Sequence, residues 1–191
     1  MFHPQIAVKS LRRRNCPTLG FKAAFLGRRK LGPTGHTAIS AGIGAGVWAA
    51  TGSPVAFPAV MATGVFNDLD HLFDYYIWYR TGARKYCFYF FHAWEYTIVG
   101  LVLAAAVWRS PVPIALALGH LGHMLTDQSV NRPVSPFSYF LTYRIINGFR
   151  YERSFPDRGS SLSGNLDRNI PFWRIIGPVI ARVMPGMGPT K

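Results

Sequence analysis

The sequence predicts an all-α fold: a membrane-embedded four-helix bundle made of two helical hairpins, with a basic N-terminal arm and a C-terminal amphipathic helix. Three observations predict it. Hydrophobic residues make up 49% of the 191 and charged residues only 15%, well below the usual quarter. The apolar residues gather in four runs separated by Pro- and Gly-containing turns. Cationic residues flank those runs rather than interrupt them, and 21 Lys+Arg against 8 Asp+Glu give a net charge of +13 and a pI near 10.4. A basic balance placed that way favours an anionic membrane surface over nucleic acid.

Residues 1–35 form the arm. Lys9, Arg12, Arg13, Arg14, Lys22, Arg28, Arg29 and Lys30 occur there without an acidic residue. Phe21, Ala24, Phe25 and Leu26 suit a short amphipathic helix against headgroups. No cleavable signal peptide is expected, because the first apolar segment begins only after Gly35. Cys16 and Cys87 lie far apart and make neither a CxxC site nor a disulfide framework.

The first apolar run covers residues 36–51, where Gly42, Gly44 and Gly46 offer a small-residue face for close helix approach. Gly52-Ser53-Pro54 turns the chain, and a second run continues to Phe66. Residues 72–91 mix ten aromatic residues with Arg80, Arg84 and Lys85, the composition of an interfacial belt. These aromatics are not framed by the strand pattern of a base-stacking module, so nucleic acid is disfavoured. The third run extends from His92 to Trp108, and the fourth from Val112 to Leu125. Residues 128–170 read as loops with one short helix. Pro171 to Met184 reads as an amphipathic, interfacial helix.

The domain plan is therefore a 1–35 arm, a 36–127 helical metal-site domain with hairpins 36–67 and 92–127, and a 128–191 C-terminal region. The two hairpins share a pattern: an opening His36 or His92, a Ser-Pro-Val turn, and a closing acidic group at Asp68-Leu69-Asp70 or His123-Met124-Leu125-Thr126-Asp127. In a helical hairpin the start of one helix lies beside the end of the next. His36 is thus expected near Asp68 and Asp70, and His92 near His123 and Asp127, all at one end of the bundle. The basic segments fall on that same side, which places the site and both termini in the cytoplasm.

Ionisable groups at the edge of hydrocarbon are costly unless compensated, and a bound cation compensates them. Asn67-Asp68-Leu69-Asp70-His71 combines oxygen and nitrogen donors suited to Zn, Mn or Fe. His123 and Asp127 are at i, i+4 and share a helix face. His120, one turn earlier, fits a ligand, a supporting donor or a core histidine. His92 and Glu95 are at i, i+3, either gripping one metal or forming a first-turn pair in which the helix dipole favours Glu95. No nucleophile elbow, phosphate loop or dinucleotide fingerprint occurs.

At these residues the sequence resembles the membrane-bound metal-dependent hydrolases of the YdjM-like inner-membrane family. The matching motifs are Gly35-His36, Asn67-Asp68-Leu69-Asp70-His71, His92-Ala93-Trp94-Glu95 and Gly119-His120-Leu121-Gly122-His123-Met124-Leu125-Thr126-Asp127. They cover roughly residues 35–130. Asn67 stands where the family has proline, and Glu95 where it often has a second histidine. The family is distantly similar to zinc-dependent phospholipase C. The resemblance implies a hydrolase of phosphoester or lipid-like substrates at the inner membrane. A divalent metal, zinc before manganese or iron, would be held by His36, Asp68, Asp70, His71, His92, Glu95, His123 and Asp127, with Glu95 or Asp70 catalytic. The alternative is a non-catalytic membrane protein that binds or transports metal, or a scaffold.

Overall fold

The structure, a computed structural model, describes residues 32–107, 109–156, 161–170 and 172–185. The 1–31 portion of the basic arm lies outside them. The regular structure among the described residues is helical, with no strand, and this establishes the all-α class.

The first hairpin is α1 (Pro33–Thr51) and α2 (Ala56–Val65), joined through Gly52 in the left-handed region (φ 68°). Proline in the first turn of α1 suits a position whose N–H has no partner in the helix. A 3₁₀ turn, Phe66–Leu69, leads into α3 (Asp70–Thr81). Asp68 and Asp70 therefore open a helix, where the dipole favours carboxylates, rather than closing one as the sequence suggests. The second hairpin is α4 (Trp94–Ala106) and α5 (Pro111–Asn131).

Helix α5 is the axis of the fold, packing on α1, α2 and α4, while α4 packs extensively on α5 alone. The arrangement is a three-helix cluster with α4 leaning on its central member, rather than a closed four-helix bundle. Small residues set the closest crossing. A Cβ on Gly119 would run into the Val60 carbonyl and the Thr63 hydroxyl, and the Thr63 hydroxyl donates to the Leu116 carbonyl across the same crossing at 2.7 Å. Of the three glycines expected on the α1 face, only Gly44 is used, against Phe57; Gly42 and Gly46 face open space.

The C-terminal region holds three short helices where one was expected: α6 (Leu141–Ile146), α7 (Tyr151–Ser154) and α8 (Leu162–Asn169). Ser161 caps α8, accepting from the Gly164 N–H at 3.1 Å. The amphipathic segment is α9 (Trp173–Val183), which buries Trp173 against Tyr75 and Leu166 and exposes Ile175, Val179 and Val183.

No helix among the described residues is long and apolar enough to cross a membrane. The reasons are simple. With 10 residues in α2 and 13 in α4, at about 1.5 Å each, neither covers a hydrocarbon core of roughly 30 Å. Helix α5 has 21 residues but carries His120, His123, Asp127 and Asn131 among them. The expected membrane-spanning arrangement therefore finds no support in the helix lengths.

Candidate metal centre

Five side chains from four elements meet where the two hairpins and α3 come together. His92 Nε2 is 2.9 Å from His123 Nε2, 3.3 Å from Asp68 Oδ1 and 3.5 Å from Asp127 Oδ2. His123 Nε2 lies 3.6 Å from Asp68 Oδ1. His36 Nε2 lies 3.2 Å from Asp127 Oδ1, and its ring stacks on His123 at 4.2 Å. His36, His92, His123 and Asp127 are all buried. Three overlapping groups, His36/Asp68/His123, Asp68/His71/His92 and His92/His123/Asp127, each present ligand atoms within 4.8 Å of one another.

The hairpins pair crosswise. His36 takes its carboxylate from the second hairpin at Asp127, and His92 takes Asp70 and Asp68 from the first. The expected convergence at one end is present, but the expected partners within each hairpin are partly exchanged between them.

Hydrogen bonding on the far side of each ring decides what the centre can accept. His123 Nδ1 faces the Gly64 carbonyl at 2.9 Å, so Nδ1 carries the proton and donates. His92 Nδ1 faces Asp70 Oδ2 at 3.0 Å. Asp70 is ionised: burial opposes this, but His92 and His71 hold its carboxyl far below the usual range. His92 Nδ1 therefore also donates. Both neutral rings then aim Nε2 lone pairs at each other, with two carboxylates beside them. Lone pairs converging at 2.9 Å need a cation between them, either a proton or a metal.

The electrostatics agree. Burial disfavours charge on His92, yet Asp70, Asp68 and Asp127 outweigh it and push the group up to about 10. Burial and the adjacent His92 push His123 down to about 4. Asp127 is held below its usual value by His36, His92 and His123 against the cost of burial. Without metal, one proton sits on His92 and donates to His123. Three imidazoles and two carboxylates form a mixed donor set that fits Zn, Mn or Fe.

Asp70 and Glu95 do not face the centre. Asp70 stands behind His92, accepting from His92 Nδ1, from the Phe91 N–H at 2.8 Å and from His71 Nδ1 at 2.9 Å. Its role is to orient histidines. Glu95 sits at the start of α4 and caps α6 instead: its carboxylate accepts from the Leu141 and Thr142 N–H groups, both at 2.9 Å, and from the Thr142 hydroxyl. Partial burial opposes its charge, but those donors hold its carboxyl below the usual value. The i, i+3 pairing with His92 fails because Ala93 is extended and α4 begins only at Trp94.

His120 is a brace. It accepts from the Thr97 hydroxyl at 2.6 Å and donates from Nε2 to the Phe91 carbonyl at 2.9 Å. Three further residues support the site without having been singled out in the sequence. Arg144, fully buried, donates to the carbonyls of Phe88 and Tyr89 at 2.6 Å and of His92 at 2.7 Å. Asp74 accepts from the N–H groups of Phe88 and Tyr89 at 2.7 and 3.0 Å. Together they clamp Tyr89 in the left-handed region (φ 39°), a strained conformation that aims the turn toward the cluster. Tyr139 donates to Asp127 Oδ2 at 3.3 Å. Asp74 had a signal, one helical turn after Asp70; Arg144 and Tyr139 had none.

A cavity of about 290 Å³ opens onto the cluster, with His36, Asp68, His71 and Asp127 in its wall. Comparison with known family models, curated proteins and solved structures finds no match. The likeness to the YdjM-like family therefore rests on its motifs alone.

Proposed function

We propose that the protein is a metal-dependent hydrolase, acting on phosphoester or lipid-like substrates at the cytoplasmic face of the inner membrane. The observation that carries the metal is the pair of Nε2 atoms facing each other at 2.9 Å with both Nδ1 positions committed as donors. His36, Asp68, His92, His123 and Asp127 would hold the cation, zinc being the first choice. A cation held there would supply Lewis-acid polarisation of a phosphoryl oxygen and a water that ionises near neutral pH.

The chain's own groups do the rest. Asp70 fixes the tautomer of His92 and, through Oδ1, that of His71. His71 lines the cavity, and its side chain is 21% exposed. With Nδ1–H committed to Asp70, its Nε2 presents the lone pair that would take a proton from water and return it to a leaving group. Tyr89 stacks on the His71 ring at 4.5 Å and holds its plane.

The membrane reading is supported by exposed apolar side chains on several elements. Ile98, Val99 and Val102 on α4, Ile146 on α6, and Phe172, Ile175 and Val179 by α9 all face outward. Apolar faces of this extent mark an interaction surface, and the sequence's net charge of +13 suits anionic lipid. A non-catalytic metal-binding or transport protein is the second reading. A cluster that opens on a cavity at helix ends, rather than at a bilayer midplane, favours catalysis over transport.

Elemental analysis of detergent-purified protein tests the metal: stoichiometric zinc, manganese or iron is expected, lost in His123→Ala and Asp127→Ala and kept in Glu95→Gln. Full metal content in both cluster variants would overturn the assignment. Turnover of a chromogenic phosphodiester that disappears in His71→Ala at unchanged metal content separates the enzyme from the metal-binding protein.

A further inference from the structure

We propose that Arg84 forms an anion subsite in the same cavity, built to take the phosphoryl group of the protein's ligand. The cavity wall includes Arg84 as well as His36, Asp68 and Asp127. The proposal deepens the hydrolase reading, from which it takes the shared cavity, but the subsite stands on its own contacts.

Arg84 differs from its fellow arginines in what its donors meet. Arg144 spends its donors on three carbonyls. Arg150 pairs with Glu152, and Arg174 with Asp167. Arg84 is half-buried, and among the described residues no carboxylate lies within ion-pair distance of it. Its hydrogen bond goes from Nη2 to the Tyr89 hydroxyl at 2.9 Å. The guanidinium is nonetheless fixed in place, 4.1 Å from the Tyr151 ring centroid and 5.1 Å from that of Trp78. Stacking of this kind orients the planar fork while leaving its N–H edges for a ligand.

A cation partly removed from water without a counter-ion favours an anion beside it. The fork geometry matches two oxygens of a phosphoryl group. Tyr89 links the subsite to the cluster: its hydroxyl holds Arg84, and its ring stacks on His71, which Asp70 holds. The same cavity wall carries the guanidinium and three of the residues that would hold the cation, His36, Asp68 and Asp127. At about 290 Å³ the cavity is at the small end of ligand pockets, roughly 300–1,000 Å³. It fits a phosphorylated head with any acyl chain outside.

The test is calorimetric binding of inorganic phosphate, glycerol phosphate and acetate to the full chain, both zinc-loaded and metal-free. Sedimentation with phosphatidic acid vesicles, against phosphatidylcholine vesicles, forms a further arm. Arg84→Met should weaken phosphate binding by about tenfold or more, and Arg84→Lys, which keeps charge and stem but loses the fork, by less. Zinc content should stay unchanged in both. Arg84-dependent binding to phosphatidic acid vesicles alone assigns a lipid headgroup, and binding of the soluble phosphates alone assigns a free ester. Loss of phosphate binding in the variants of a protein that holds no zinc would retain the subsite and remove the hydrolase reading. Phosphate affinity unchanged in a folded Arg84→Lys and in Arg84→Met, no phosphate binding by the parent protein, or acetate bound as tightly as phosphate would overturn the subsite.

Discussion

The two flanks of the candidate metal centre are built by different physics. On the α1/α2/α5 flank, His36 and His123 are positioned by helix packing: Gly119 and Gly44 let helices touch, and each histidine inherits its place from its helix. On the other flank, His92 is carried by an irregular segment, residues 82–93, that has no helix to hold it. There the backbone is fixed by polar side chains: Arg144 on three carbonyls, Asp74 on two N–H groups, Asp70 on a third, and the neutral His120 on the Phe91 carbonyl. A helix satisfies its own backbone groups internally, so packing alone can position it. A buried loop must find outside partners for each group, and ionised side chains are the strongest available.

Removing those partners should therefore cost more than disturbing the helix contacts. Arg144→Met removes a donor from three carbonyls and leaves that of Tyr89 with the His92 N–H alone, and a loss of about 3–5 kcal/mol in urea unfolding is expected. Metal binding should fall with it, because the turn that aims His92 is no longer held. Gly119→Ala forces a methyl group against the Val60 carbonyl and should cost about 1–3 kcal/mol. If Gly119→Ala proves the more damaging of the two, the contrast between the flanks is wrong.

Asp70→Asn sharpens the same point at the level of one proton. The amide no longer enforces Nδ1–H on His92, so Nε2 ceases to be a dependable lone pair. Metal affinity should drop about 10–100-fold, the usual effect of losing a carboxylate behind a ligating histidine. The fold should be largely retained, since Gly64 still fixes His123 and Arg144 still holds the turn. Competition with a chelating dye measures it; unchanged affinity would place His92 outside the ligand set.

Much of this contrast tracks what the sequence discloses. Helices α1, α2, α4 and α5 follow from apolar runs closed by Gly52-Ser53-Pro54 and Ser110-Pro111, since those signals are local. The residues His36, Asp68, His92, His123 and Asp127 stand out because charge beside hydrocarbon is unusual. The bracing of the 82–93 segment is not local. Arg144 reaches its carbonyls across more than fifty positions of chain, and carbonyl acceptors leave no residue pattern to read. Glu95 shows the reverse error. Its i, i+3 spacing from His92 is a ligand signal only if both lie on one helix, and the extended Ala93 between them removes that condition. The crosswise hairpin pairing also depends on how α5 lies against α1 and α2, which no motif encodes.

The shared proton gives a pH test of the centre. Because His92 is raised from 6.5 to about 10, its charge stabilises the metal-free fold fully below about pH 6.5. That contribution fades as pH climbs toward about 10. Metal must displace the same proton, and His36, raised by Asp127 against the cost of burial, can add to it, so binding at pH 7 should release at least one proton per site. Calorimetry in buffers of different ionisation enthalpy reads this directly. Release near zero would mean that the His92–His123 contact carries no proton and that the lone-pair argument fails.

The smallest expected effect lies on the outer face of α1. Gly42 meets nothing within 4 Å of a built Cβ, whereas Gly44 meets Phe57 at 3.1 Å. Gly42→Ala should stabilise the protein by roughly 0.5–1 kcal/mol through helix propensity alone, and Gly44→Ala should not, because the Phe57 contact consumes the gain. Thermal unfolding of the two variants side by side decides the matter. Equal stabilisation would show that α1 is free to move off α2, and that packing positions His36 less firmly than the charged clamp positions His92.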